Sequence, residues 1–151
     1  MKKIPKRIQA LERLLREINW SITIKGREIL KKFNSSKSQL QCLSTLYFFN
    51  SSNDKQEMTM GELAKSTDMS FSAMTGLVDR LIKNKLIRRR RSNTDRRKVI
   101  IDLSKRGTSL IKEIINERQS YLHFLSKKLK VSELSSTLET LKQLSIEIKK
   151  G

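Results

Sequence analysis

Between residues 4 and 29, isoleucine and leucine recur at alternating steps of four and three: Ile4, Ile8, Leu11, Leu15, Ile18, Ile22 and Ile29, with Lys25 interrupting the row once. That period lays one apolar face along a long helix. Pro5, the only proline, suits the first turn, where no backbone donor is needed. A single long core helix has the same spacing, but few other large apolar surfaces exist to cover it. The row is therefore expected to pack against a partner subunit. A turn at Phe33-Asn34-Ser35 ends the helix. Ser36-Lys37-Ser38-Gln39 then reads as a capping box opening a second helix to about Phe49. Leu40, Leu43 and Tyr47 share one side of it, with Cys42, Leu46 and Phe49 beside them. Phe48 falls among Gln41, Ser44 and Thr45, and is either exposed or covered by another element. The segment NSSNDKQE, residues 50–57, reads as loop.

Met58-Thr59-Met60 is too short for more than an edge strand. Thr59-Met60-Gly61-Glu62 is a second capping box, starting a short helix that stops near Thr67-Asp68-Met69. Ser70 can cap the next helix, FSAMTGLVDRLIKNK, whose apolar stripe is Met74, Leu77, Val78 and Leu81. Two short helices joined by a tight turn, the second longer and amphipathic, form a helix-turn-helix pattern. LIRRR and KVIIDL follow, separated by a turn centred on Asn93-Thr94-Asp95, and read as a β-hairpin. Ser104 starts a helix carrying Leu110, Ile111, Ile114, Ile115, Tyr121, Leu122 and Leu125. A last helix carries Leu134, Leu138, Leu141 and Ile148. No stretch approaches the ~18 apolar residues of a membrane span.

Charge changes the picture. Across 151 residues, 33 Lys and Arg face 15 Asp and Glu, a formal net charge of +18. Half of that excess lies between Lys83 and Arg106, where eleven basic residues meet two aspartates. The first 33 residues hold ten basic residues and three glutamates. Such concentration predicts an anionic partner, nucleic acid before a membrane surface. Helix-turn-helix followed by a basic hairpin is the winged-helix arrangement. Its second helix enters the major groove, and its hairpin reaches toward the adjacent minor groove, where arginine is attracted to narrow, strongly negative segments.

The stretch LAKSTDMSFSAMTGLVDRLIKNKLIRRRRSNTDRRKVIIDLSKRG resembles the central region of the MarR family of transcriptional regulators. The likeness rests on Leu63-Ala64, Ser70-x-Ser72, Leu77-Val78-Asp79-Arg80-Leu81, Asp95-Arg96-Arg97 and Leu103-Ser104-x-x-Gly107, in register over about residues 36–110. It implies a mainly α fold: an N-terminal dimerisation helix over 1–35, a winged helix-turn-helix DNA-binding lobe over 36–103 and C-terminal dimerisation helices over 104–151. It also implies a homodimer that binds double-stranded DNA at a palindromic operator, most often as a repressor. Separately, the single cysteine and a basic MKKIPKRI followed by LERLLRE in place of an apolar signal run predict a cytoplasmic protein. Ser72, Thr75 and Gly76 would lie near base edges and Arg80 on phosphate. Arg97 would lie in the minor groove, with Asp95 steadying the wing. The spacing of Asp95 and Arg97, two apart across the turn, separately predicts that the carboxylate holds the guanidinium. Ser70 and Ala73 on the helix, and Arg89 and Arg96 on the hairpin, complete the candidate set, with Arg89 expected on phosphate. Three positions depart from the family pattern. Lys85 replaces the usual glycine after the recognition helix, Gly76 a longer side chain, and Phe71 a frequent proline.

Catalytic and metal readings find no support in the sequence. HExxH, CxxC, GxSxG and phosphate-binding glycine loops are absent. His123 is the only histidine and stands among apolar neighbours, far in sequence from Cys42, so no zinc site and no cofactor is expected. A lone cysteine excludes an intramolecular disulfide, and its setting beside Leu43 and Leu46 favours packing over redox sensing. The resemblance also implies a crevice for a small aromatic or anionic effector, which Trp20, Tyr47, Phe48 and Tyr121 are candidates to line. The rival reading is an architectural protein that coats DNA with little sequence preference. The charge excess and Gly76 favour it, while the polar Ser72 and Thr75 on an ordered recognition helix oppose it.

Overall fold

The computed structural model describes residues 4–52 and 57–150. Along the chain run α1 (Lys6–Lys32), α2 (Lys37–Ser52), α3 (Met60–Ser66), α4 (Phe71–Lys83), β1 (Ile87–Arg91), β2 (Val99–Leu103), α5 (Lys105–Ser126) and α6 (Val131–Lys150). The predicted elements all form. Two helix ends move: Asn50, Ser51 and Ser52 continue α2, and α4 stops at Lys83, two residues before the predicted Lys85. The rest of the predicted loop, residues 53–56, lies outside the described residues. No helix among the described residues is long and apolar enough to cross a membrane.

The chain divides into two compact units, one running to Ile115 and the other from Asn116 onward. In the first, Cys42, Leu43 and Leu46 of α2 meet Leu63 and Ala64 of α3 and the α4 stripe Met74, Leu77, Val78 and Leu81. Ile87, Ile101 and Leu103 of the hairpin and Ile111 of α5 close this core. A smaller cluster joins Ile29 and Leu30 of α1 to Ile114 of α5. The rest of the α1 row is bare: Ile4, Ile8, Leu11, Leu15, Ile18 and Ile22 are 39–58% exposed. The second unit comprises the end of α5 and the whole of α6. Its Leu122, Phe124, Leu125, Leu138, Leu141 and Ile148 are likewise exposed, and α6 buries no residue.

Side-chain caps and left-handed stops set the helix ends. In both predicted capping boxes the two residues bond reciprocally: Ser36 with Gln39, and Thr59 with Glu62. Ser70 accepts the Ala73 N–H at 3.2 Å and starts α4. Three helices end alike, with a non-glycine residue at positive φ: Asn34 (48°), Asp68 (52°) and Lys85 (58°). After α4, the Lys85 N–H bonds the Ile82 carbonyl at 2.8 Å and the Leu86 N–H bonds the Leu81 carbonyl at 2.9 Å. This is the closure glycine usually provides. Lys85 thus leaves the turn unchanged and bears the steric strain of the left-handed region.

The hairpin pairs Ile87 with Leu103, Arg88 with Asp102, Arg89 with Ile101, Arg90 with Ile100 and Arg91 with Val99. Met58 and Thr59 add a short third rung: the Ile101 N–H bonds the Met58 carbonyl at 2.9 Å and Thr59 bridges Ile100. The open end of the hairpin is tied to α5. The Leu86 carbonyl accepts the Ser104 N–H at 3.0 Å, and the Ser104 hydroxyl donates to the Lys85 carbonyl at 2.7 Å. Gly107 closes this junction, because a β-carbon there would stand 2.0 Å from the Leu86 oxygen.

Denaturation and thiol chemistry can each check one consequence of this packing. Gly107→Ala forces backbone apart and is expected to lose about 3 kcal/mol in urea unfolding. Cys42 is fully buried, and burial raises its thiol pKa from 9.0 to about 12. Alkylation of the folded protein should therefore proceed no faster than unfolding, and faster labelling would show an accessible thiol.

Candidate nucleic-acid interface

Burial of Met74, Leu77, Val78 and Leu81 turns Ser72, Gly76, Asp79 and Arg80 of α4 outward. Thr75 is half-buried and its hydroxyl donates to the Phe71 carbonyl at 2.9 Å, which leaves its oxygen able to accept. A β-carbon on Gly76 would meet nothing within 4 Å, so packing does not require the glycine. Ser70 is occupied as a helix cap, Ala73 is exposed, and Phe71, beside Ser72, is 62% exposed.

Strand alternation divides the four consecutive arginines between two faces. Arg89 shares a face with Ile87, Ile101 and Arg91, and its guanidinium meets the Asp79 carboxylate of α4 at 2.8 Å. In this structure Arg89 links the wing to α4, a partner that the expectation of a phosphate contact did not include. On the other face Arg90 donates from Nε to Asp102 at 2.6 Å and from Nη1 to Glu57. Arg88 lies 4.0 Å from the same Asp102. The side chains of Arg80, Arg91, Arg96 and Arg97 meet no acid among the described residues.

The wing tip is folded by side chain to backbone bonds. The Ser92 hydroxyl donates to Glu57 and accepts the N–H groups of Thr94 and Asp95, both at 3.1 Å. Glu57 also accepts the Asn93 N–H at 3.0 Å. Asp95 accepts the backbone N–H of Arg97 at 3.0 Å. The predicted Asp95–Arg97 partnership therefore exists through the main chain and not through the guanidinium, which stays exposed. The hydrogen bonds from Ser92, Arg90 and Asn93 hold the Glu57 carboxyl down from 4.5 to about 2. Because its folded value is depressed, the stability it lends is present above about pH 4.5 and is lost as pH falls through about 2.

Glu57, expected in a loop, gave no sign in the sequence of its place here, and neither did the roles of Asp79, Arg91, Ser92 and Asp102. A period-two reading of residues 87–91 separates Arg89 and Arg91 from Arg88 and Arg90, so part of the division was available. Glu57 lies 33 residues from Arg90, and no local pattern links the two. Among the effector candidates, Tyr47 and Phe48 meet edge to face with centroids 5.4 Å apart. Trp20 stands exposed on α1, and Tyr121 belongs to the second unit. A cleft of about 450 Å³ opens elsewhere, lined by Phe33, Gln39, Asn84, Leu86, Arg106 and Leu110 among others.

Three comparisons converge. The model for the transcriptional regulator SarA/Rot family matches residues 25–114. The HTH-type transcriptional regulator YsmB of Bacillus subtilis is 34% identical over 140 residues, covering 93% of this chain and 92% of the relative. A MarR family protein from Bacillus stearothermophilus superposes with a TM-score of 0.84 at 29% identity, over 97% of this chain and 99% of that one. A point mutant of Staphylococcus aureus MepR, bound to an oligodeoxyribonucleotide, has the same fold at 20% identity, with a TM-score of 0.69 over 91% and 97% of the two chains. The chain belongs to the SarA/Rot family of transcriptional regulators, built on the MarR-type winged-helix fold.

Proposed function

We propose that the protein is a homodimeric repressor that binds a palindromic operator in double-stranded DNA. The observation that carries this reading is the outward stripe of α4 set beside a wing whose Arg91, Arg96 and Arg97 meet no acid among the described residues. In the complex, Ser72 and Thr75 approach base edges in the major groove, Arg80 and Arg91 meet phosphates, and Arg97 enters the minor groove. Gly76 lets α4 approach closely without reading a base itself. Repulsion among the wing arginines is relieved by the phosphates they meet. The exposed apolar rows of α1 and, separately, of α5 and α6 support the dimer, since a stable monomer rarely leaves such rows in water. The cleft that includes Arg106 and Asn84 is a better seat for a small anionic or aromatic effector than the four aromatic residues singled out above. The coating alternative rests on the net charge and on Gly76, which offers no side chain to a base; the pre-shaped wing and the outward Ser72 and Thr75 favour the regulator.

Light scattering should give the mass of two chains at micromolar concentration, and Leu15→Glu in the α1 row should yield monomers. A folded, monomeric parent protein would end the dimer reading. Selection from random duplexes should return a two-fold symmetric motif bound ~10³-fold or more above random DNA; no motif would favour the coating protein. Arg97→Ala should change thermal stability by less than about 0.5 kcal/mol while weakening binding to A·T-flanked sites ~10-fold in fluorescence anisotropy. Unchanged binding would remove Arg97 from the groove.

A further inference from the structure

The acid at Glu57 is out of place on electrostatic grounds. It lies against a wing that carries seven Lys and Arg between residues 87 and 103, and an anion there opposes any phosphate the wing approaches. Its side chain is nonetheless fixed by three donors drawn from three successive parts of the hairpin: Arg90 on β1, the Ser92 hydroxyl, and the Asn93 N–H at the tip. Ser92 is itself only 3% exposed, and its oxygen gathers the Thr94 and Asp95 N–H groups. Asp95 then takes the Arg97 N–H. An unbroken path of hydrogen bonds therefore runs from the strand entering α3 to the backbone of the residue placed in the minor groove. The backbone closure at the tip is sparse: the Ser92 N–H bonds the Lys98 carbonyl at 3.0 Å and the Lys98 N–H bonds the Asp95 carbonyl at 2.9 Å. Ladder pairing stops at Arg91 and Val99.

We infer that Glu57 is a positioning residue for minor-groove reading, which aims the wing tip through Ser92 and Asp95 and does not itself touch DNA. The inference rests on the proposed DNA-binding function. It extends that reading from the basic residues that meet DNA to the acid that sets their direction. Its carboxylate stays charged through the physiological range, held down by the same Ser92, Arg90 and Asn93 bonds.

Opposite signs make the inference testable. Coulomb attraction alone predicts that Glu57→Gln, which deletes one negative charge beside DNA, tightens binding to every duplex. A loss of folded protein alone would weaken every duplex by one common factor. Positioning predicts neither. In Glu57→Gln the one carboxamide oxygen can take either the Ser92 hydroxyl or the Arg90 and Asn93 donors. The NH2 group then opposes the other side as a further donor, with the Ser92 oxygen already committed to two N–H groups. The tip then loses its aim, and the ratio of affinities for A·T-flanked over G·C-flanked operators should collapse from ~10-fold in the parent to ~2-fold or less. Affinity for random DNA should hold or rise.

Ser92→Ala provides the second variant, since it breaks the same path without altering charge. It should abolish the same ratio, and combining it with Glu57→Gln should add nothing further. Anisotropy titrations on the two flank series, with folded fraction checked by circular dichroism, decide the matter. A parent preference retained in both variants overturns the role of Glu57 while leaving wing recognition standing. A parent protein with no flank preference overturns minor-groove reading itself, and this inference with it.

Discussion

Everything distinctive about the basic surface depends on how Arg90 is held. Four arginines in a row on one strand repel one another, and the repulsion is strongest where neighbouring guanidiniums would share a face. Alternation halves the problem by sending Arg88 and Arg90 one way and Arg89 and Arg91 the other. Glu57 and Asp102 then grip Arg90 from two sides, with Asp102 also near Arg88. One face of the hairpin is thereby neutralised. A residue that reads as one more surface cation is a structural part, and its two acids take the wing's shape from the segment entering α3 and from β2.

The same logic joins the wing to the recognition helix. Asp79 points outward from α4, where a lone carboxylate would face any approaching phosphate, and Arg89 covers it. An exposed pair of this kind contributes roughly 0–1 kcal/mol to folding, so its larger effect is on relative placement. Beneath it, the left-handed Lys85, the doubly used Leu86 carbonyl and the bare Gly107 fix where the hairpin leaves α4 and where α5 begins. Charge pairs and backbone closures thus orient two reading elements that share a single apolar core. Arg80, Arg91 and Arg97, which meet no acid among the described residues, are the arginines the proposed complex uses.

Most of the fold was legible because its signals are local. Capping boxes at Ser36 and Thr59, the cap at Ser70, and the stripe from Met74 to Leu81 each declare themselves within a few residues, and all form as read. The hairpin was legible from two apolar-to-basic strands around a polar turn. The site was legible only in part, since partner choice for a charged side chain depends on register and on distant chain. Arg89 reads as a phosphate contact, and nothing near it in sequence shows that α4 brings Asp79 beside it. Asp95 and Arg97 stand two apart, which suggests an ion pair, yet an aspartate at a turn more readily satisfies the N–H two residues on. Glu57 carried no signal at all, because nothing in NSSNDKQE shows that its last residue meets a strand more than 30 positions away.

The division of the arginines into structural and DNA-facing sets is the central claim, and the salt dependence of binding measures it most directly. Arg90→Gln and Arg91→Gln remove the same charge from adjacent positions on opposite faces of β1. If the division holds, Arg91→Gln lowers the slope of log affinity against log salt by about 0.9, the value of one lost phosphate contact, while Arg90→Gln leaves the slope unchanged. Equal losses of slope from both variants would show that the two faces meet DNA alike, and would contradict the account.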